Sequence, residues 1–130
     1  MKKLALFLAL VLFGIIVFSS AAFARYSYIE SIGATLSISN GIATCSGTCQ
    51  SSDSSTTTSI KVELKQKIGT KWETIESWSG SGNGKTTVRK SGTKSVSSGY
   101  SYKVVTTGTI KDSNGKILET DTKESPIKTY

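Results

Sequence analysis

Apolar and polar residues alternate along much of the chain after residue 24, a pattern typical of half-buried β-strands. The clearest example is the run from Ile60 to Lys65, in which Ile, Val and Leu alternate with Lys and Glu. No long stretch there has the three- and four-residue apolar steps of a helix. The segment SGSGNG, residues 79–84, predicts a flexible connection. About seven short strands bounded by turn residues predict one all-β domain, an antiparallel β-sandwich.

The Asn-Gly pair at residues 40–41 predicts the first hairpin, because both residue types accept the positive φ of a two-residue turn. This turn pairs Leu36 with Cys45 and Ile32 with Cys49, so that nearly all apolar residues of both strands share one face. A three-residue loop would instead turn both cysteines outward. The apolar pattern therefore selects the two-residue turn.

The last Asn-Gly pair predicts a different loop. The segment KDSNGK fits a type I turn with Gly115 in the left-handed conformation, which makes a three-residue loop. The resulting register pairs Ile110 with Leu118. It also places Glu119 and Asp121 on the outward face of the last strand, among Thr and Lys.

The two cysteines, Cys45 and Cys49, are predicted to be free thiols that face the core. Residues four apart on an extended strand are separated by about 13 Å, whereas a disulfide requires Cα atoms within about 7 Å. The spacing also differs from that of the two-intervening-residue redox motif. Two alternatives stay open: Gly47 could bend the strand and allow a Cys45–Cys49 disulfide, or one thiol could link two chains.

The two tryptophans have the same strand parity, and their placement depends on the turn at residues 69–70. A three-residue loop turns Trp72 and Trp78 into the core, which is the prediction, because the alternative register opposes two glutamates. In that alternative a two-residue turn exposes Trp72 beside Lys67 and Trp78 beside Lys61. Such a stripe suits stacking on sugars or binding an anionic polymer. These four residues are the candidate ligand surface.

The first 24 residues have the composition of a secretory signal peptide. A basic start is followed by an apolar run to Phe18 and by an Ala-x-Ala that ends at Ala24. Cleavage there leaves one domain, residues 25–130. The alternative is an uncleaved anchor long enough to reach across a bilayer. We therefore expect a secreted, extracellular or cell-wall-associated protein that contacts a membrane only through an uncleaved signal segment.

Composition indicates a thin core and a mild positive charge. Residues 25–130 contain 37 Ser and Thr but only 18 Ile, Val and Leu. Of the 16 Lys and Arg, two precede residue 25, so 14 basic residues face nine acidic ones, a net charge of +5. This charge suits anionic cell-wall polymer as a partner, although it also serves solubility alone. The lysines are scattered, and no specific nucleic-acid partner is expected.

The absence of His excludes Ser-His and Cys-His catalysis and His-based metal sites. Two cysteines alone make a poor zinc site, and no phosphate-binding loop or dinucleotide fingerprint is present. Glu119 and Asp121 have the spacing of a sugar-hydrolysing carboxylate pair, but a solvated strand face is the preferred interpretation. We expect no enzyme activity, no cofactor and no metal, and a secreted hydrolase is the least favoured alternative.

Two segments carry a resemblance to known proteins. The segment VSSGYSYKV, residues 96–104, resembles the approach to strand F of fibronectin-III-like domains, where an apolar residue, a turn and a later Tyr form a tyrosine corner. Val96 and Tyr102 have that spacing. The order of ATLSISNGIATCSG, a hairpin with Trp72 and GYSYKV also resembles small secreted Ig-like proteins of Gram-positive bacteria. The resemblance implies an Ig-like or fibronectin-III-like sandwich, and that family has no known function to transfer.

The expectation is therefore a secreted, non-catalytic binding or interaction module. Its partner would be a cell-envelope polymer, a glycan or another surface protein. The alternative is a structural or matrix protein that assembles through its edge strands, because Ser- and Thr-rich strands of little bulk can pair edge to edge.

Overall fold

A computed structural model describes residues 28–130, and the predicted signal peptide lies outside them. Every regular element in this range is a β-strand and the strands form two antiparallel sheets, so the all-β prediction is confirmed. There are eight segments rather than about seven, the last of only two residues. They are β1 (Ile29–Ser39), β2 (Ile42–Ser51), β3 (Thr57–Ile68), β4 (Lys71–Asn83), β5 (Thr87–Ser95), β6 (Ser101–Lys111), β7 (Ile117–Glu124) and β8 (Lys128–Thr129).

The two sheets pack against each other through their inner faces. The β2 sheet has the strand order β1-β2-β5, and the β3 sheet has the order β4-β3-β6-β7, with β8 beside the start of β6. A Cβ atom added to Gly108 of β6 would lie 2.6 Å from the Cys49 sulfur of β2. The inner faces are therefore in direct contact, and the fold fits a β-sandwich.

The first hairpin has the predicted turn and register. Asn40 and Gly41 both have positive φ, at 51° and 74°. Leu36 pairs with Cys45, and the other predicted pairs of this hairpin also occur. Local turn chemistry and the apolar pattern agree here, and together they determine the pairing.

Both cysteines are free, and both side chains are fully buried, with 0% exposure. Gly47 does not bend the strand between them, because it pairs with Ala34 on one side and Lys90 on the other. A disulfide between Cys45 and Cys49 is therefore incompatible with this ladder. Neither thiol is accessible to a second chain.

The β3–β4 hairpin separates the two tryptophans. A two-residue turn pairs Lys67 with Trp72, but a bulge at Ile75 shifts the register, and Val62 then pairs with Trp78. A bulge reverses the parity of the strand beyond it. The prediction that both tryptophans face inward is correct for Trp78, which packs against the core, and wrong for Trp72, which lies on the outer face. The alternative prediction, an exposed stripe that contains both tryptophans, is correct only for Trp72.

The last hairpin departs from the predicted register. Gly115 has the expected positive φ of 81°. A bulge between Ile110 and Lys111, however, shifts the pairing by one residue, so that Ile110 pairs with Glu119 rather than Leu118. A one-residue shift exchanges the two faces of a strand. The outward placement of Glu119 was therefore wrong.

Glu119 instead holds the beginning of β1. Its Oε2 accepts hydrogen bonds from the backbone N–H groups of Tyr28 and Ile29, at 3.0 and 3.1 Å. Asp121, two residues further on, pairs with Gly108 and is also half-buried rather than solvated. The two carboxylates thus belong to the side of β7 that faces the sandwich.

The predicted flexible connection at residues 79–84 is also wrong. Residues 79–83 extend β4 and pair with residues 57–61 of β3. Gly82 belongs to the inner face, where an added Cβ atom would lie 2.8 Å from Val88 of the opposite sheet. The small residues here allow the sheets to approach each other closely.

Tyr102 is the largest fully buried side chain, and it anchors the start of β6. Its hydroxyl group donates a 2.6 Å hydrogen bond to the backbone carbonyl of Ser97. This contact is the tyrosine corner that the spacing of Val96 and Tyr102 predicted. Around it the buried core contains mostly aliphatic and small residues: Ile29, Leu36, Ala43, Cys45, Cys49, Ile60, Val62, Leu64, Val88, Val104 and Ile110.

Candidate functional site

The outer face of the β3 sheet carries most of the candidate ligand surface. Its side chains alternate with the core-facing residues of β3, β4 and β6. We call this surface the Trp72 face. It comprises the odd-numbered residues of 59–67, 77–81 and 103–109, together with Trp72 and Thr74 beyond the bulge.

Trp72 lies at one end of this face and is half-buried. Lys67 is its cross-strand partner on β3. The ammonium group of Lys103 lies 4.5 Å from the centre of the indole ring, within the range of a cation–π interaction. Lys103 also forms a 3.1 Å ion pair with Glu124 of β7. The indole ring of Trp72 therefore contacts the Lys103 ammonium group, which the Glu124 carboxylate holds in place.

The middle of the Trp72 face is occupied by a small polar network. Lys65 donates a 3.0 Å hydrogen bond to the hydroxyl of Thr74, which in turn donates a 2.8 Å bond to Glu63. The Lys65 ammonium and the Glu63 carboxylate are 3.9 Å apart. The positive and negative charges in this part of the face therefore balance each other.

A shallow groove of about 510 Å³ forms the other end of the face. The exposed side chain of Lys61 lies within it, surrounded by hydroxyl groups. Hydroxyls both donate and accept hydrogen bonds, whereas an ammonium group only donates. The side chains that line the groove and belong to the outer face are Ser59, Lys61, Ser79, Ser81, Thr107 and Thr109.

Of the four residues predicted to form a ligand surface, the structure brings together three. Trp72, Lys67 and Lys61 share the Trp72 face, whereas Trp78 lies on the inner side of the same sheet. Lys67 and Lys61 are both exposed, and neither forms an ion pair with any residue in the range 28–130. They are six residues apart along β3, which corresponds to about 20 Å.

Sequence reasoning missed Lys103 and the hydroxyl groups contributed by β6. The alternation of Tyr102 and Val104 with polar residues marks Lys103 as outward-facing. The position of Lys103 beside Trp72 depends, however, on β6 lying next to β3, and this long-range pairing has no signal in the sequence.

The outer face of the β2 sheet differs from the Trp72 face, because Ser and Thr side chains predominate there and it carries no tryptophan. One row across its three strands, for example, consists of Thr35, Ser46 and Ser91.

Residues 28–130 offer little support for thiol, carboxylate or metal chemistry. Burial raises the pKa of each cysteine thiol from 9.0 to about 11, so both are protonated at neutral pH. One Glu119 oxygen already binds backbone amides. Residues 28–130 contain no group of three or more Cys, Asp or Glu side chains placed to hold a metal ion. No helix in the same range is long and apolar enough to cross a membrane.

Comparison with known proteins assigns neither a family nor a function to the chain. No family model matches the chain, and no curated protein matches it. The chain is similar in structure to Spo0M, a sporulation control protein from Bacillus subtilis, at 12% sequence identity and a TM-score of 0.43. The match covers 73% of this chain but only 47% of the Spo0M chain, so the chain spans about half the length of that protein. The resemblance to secreted Ig-like proteins stays a prediction.

Proposed function

We propose that this chain is a secreted, non-catalytic binding module of the Ig-like or fibronectin-III-like type, whose Trp72 face binds a cell-envelope polymer. The strand order supports the fold assignment. The β2 sheet corresponds to strands A, B and E of an Ig-type sandwich, and the β3 sheet corresponds to strands C′, C, F and G. The tyrosine corner of Tyr102 lies at the start of β6, which corresponds to strand F.

The binding proposal rests on one observation: one sheet face carries a half-exposed indole, a hydroxyl-lined groove and two lysines that have no ion-pair partner among residues 28–130. Trp72 offers a flat apolar surface for a sugar ring. The hydroxyl groups of the groove can exchange hydrogen bonds with a polyol. Lys61 and Lys67 add positive charge at the two ends. Together these groups match a polar polymer in which at least some of the units are rings.

Export and the lack of catalysis are consistent with the same proposal. The apolar run and Ala-x-Ala within the first 24 residues support secretion. A chain without His lacks the usual general base, and its protonated thiols are poor nucleophiles. The carboxylates Glu119 and Asp121 are directed away from the Trp72 face, which weakens the hydrolase alternative.

Co-sedimentation of residues 25–130 with purified bacterial cell-wall material tests the proposal. We expect the wild-type chain to sediment with the solid, and the substitution Trp72→Ala to weaken apparent binding about 2- to 30-fold, as expected for a lost stacking contact of roughly 0.5–2 kcal/mol. Tyr100→Ala is the matched control, because Tyr100 is an exposed aromatic residue at a different place. Equal sedimentation of the wild type and Trp72→Ala would contradict the proposal.

Assembly through edge strands is the second candidate, and one observation favours it. Residues 77–83 of the edge strand β4 include no charged side chain, and charge is a common protection against edge-to-edge pairing. Light scattering over a concentration series separates the two functions. The binding module stays monomeric, whereas an assembling protein shows a mass that rises with concentration.

A further inference from the structure

We infer that the ligand of the Trp72 face is an acidic polysaccharide, bound as an extended chain along β3 with acidic groups at both Lys67 and Lys61. This inference rests on the proposed binding function and specifies its ligand.

The distribution of charge on the Trp72 face supports an anionic ligand. Lys65 and Glu63 balance each other in the middle of the face, and Lys103 is paired with Glu124. Within residues 28–130, the charges on this face that no ion pair balances are those of Lys67 and Lys61, six residues apart on β3. A ligand that complements this face therefore carries negative charge at two separated points.

The other groups on the face distinguish a sugar chain from a ring-free polyanion. The half-exposed indole of Trp72 gains most from a flat ring whose C–H groups face it. The groove around Lys61 presents hydroxyls from three neighbouring strands, which suit the hydroxyl groups of a sugar. A polyol phosphate could pair with the lysines but would leave the indole without a stacking partner.

The separation of the two lysines sets the length of ligand that uses the whole site. Six residues of β3 span about 20 Å, so a short oligosaccharide reaches only one lysine. Once a chain spans both, the second contact becomes intramolecular and its effective concentration rises steeply. Affinity should therefore increase in a step with oligomer length, rather than in equal increments per sugar.

Calorimetric titration of residues 25–130 with oligogalacturonates of two to ten sugars measures this step. We expect weak binding by the shortest oligomers and a gain of about 10-fold or more once the chain spans both lysines. The gain should shrink in high salt, because exposed charges are screened. Malto-oligosaccharides of matched length, which are neutral, should show no step. Polyglycerol phosphate should bind more weakly than a long oligogalacturonate.

The variant Lys61→Gln provides the sharpest test. It should remove most of the gain with length, because a chain that extends past Lys67 then meets no second ammonium group. Arg89→Gln is the control, since Arg89 is an exposed cation on β5 of the opposite sheet.

Four outcomes overturn the inference: a step that persists in Lys61→Gln, binding without a step, equal or tighter binding of polyglycerol phosphate, or no binding of oligogalacturonate. If the chain still sediments with cell-wall material in a Trp72-dependent way, the proposed function survives any of these. If that binding is absent too, both proposals fail.

Discussion

The indole ring of Trp78 lies directly against the backbone of Gly92, across the gap between β4 and β5. A Cβ atom at this position would overlap the ring. We therefore expect Gly92→Ala to lower the free energy of unfolding by about 1–3 kcal/mol, the usual cost of overpacking a core. Urea unfolding of the purified domain measures the change.

Gly80→Ala is the matched control for this substitution. Gly80 also lies on the inner face, but the nearest atom to an added Cβ is a side-chain carbon of Lys90 at 3.6 Å, an ordinary contact. This variant should unfold at nearly the wild-type urea concentration. Equal stability of the two variants would show that Trp78 does not occupy the space over Gly92.

The substitution Tyr102→Phe removes one hydroxyl group and little else from the core. The lost hydrogen bond to Ser97 is short, at 2.6 Å, and we expect a decrease of about 1 kcal/mol in the free energy of unfolding. Tyr100→Phe should leave stability unchanged, because Tyr100 is exposed. The prediction fails if both phenylalanine variants have the stability of the wild type.

The buried thiols should make stability fall at alkaline pH. Their pKa in the folded protein is about 11, against 9.0 for an exposed thiol, chiefly because of burial, with a further increase from Glu119 at Cys49. Since the unfolded chain loses these protons first, their stabilising effect is complete below pH 9 and is lost as the pH rises towards 11. The loss is up to about 2–3 kcal/mol per thiol.

Urea unfolding at several pH values, with and without both thiols, separates this effect from the titration of Lys and Tyr. The double variant Cys45→Ala, Cys49→Ala should show a smaller decrease in stability between pH 9 and 11. In the wild type, iodoacetamide at pH 8 should modify the cysteines only after denaturation, and reduction should leave the intact mass unchanged. Rapid labelling of the native chain would contradict the buried placement.

Glu119→Ala should loosen the beginning of β1. The carboxylate binds the N–H groups of Tyr28 and Ile29, so its removal leaves them to exchange with solvent. Hydrogen exchange followed by NMR should show faster exchange at these two amides and little change at the centre of β2. Glu30→Ala removes a neighbouring charge without this contact, and identical exchange in the two variants would refute the role of Glu119.

The two tryptophans should report different environments. With Trp72 as the single tryptophan (Trp78→Phe), emission should be red-shifted and quenched by acrylamide. With Trp78 as the single tryptophan (Trp72→Phe), emission should be blue-shifted and protected. Similar spectra from both variants would be inconsistent with the bulge at Ile75.

The sequence was sufficient where a local rule and the apolar pattern agreed. Asn40 and Gly41 specify a two-residue turn, and the cysteines follow from it. The sequence was insufficient where a bulge adds a residue to one strand. The side chains beyond the bulge then lie on the opposite face, and the apolar pattern of the strand does not indicate this change. The errors at Trp72 and Glu119 both have this origin.

For the candidate site, the same limit applies to strand order. Lys61, Lys67 and Trp72 come from one hairpin, and their common face could be anticipated as one of two alternatives. Lys103 comes from β6, which lies beside β3 only in the folded sheet. A pairing between residues so far apart in sequence depends on the packing of the whole domain.

The bulge at Ile75 also has a meaning for how such a domain can evolve. The bulge absorbs one extra residue, so a single-codon deletion of Ile75 would leave Trp72 opposite Lys67 and Trp78 opposite Val62. The strand between the two tryptophans can thus lose one residue at this point without moving either side chain to the other face. Homologues that lack this residue should therefore keep the same aromatic surface, with one tryptophan on the outer face and the other in the core.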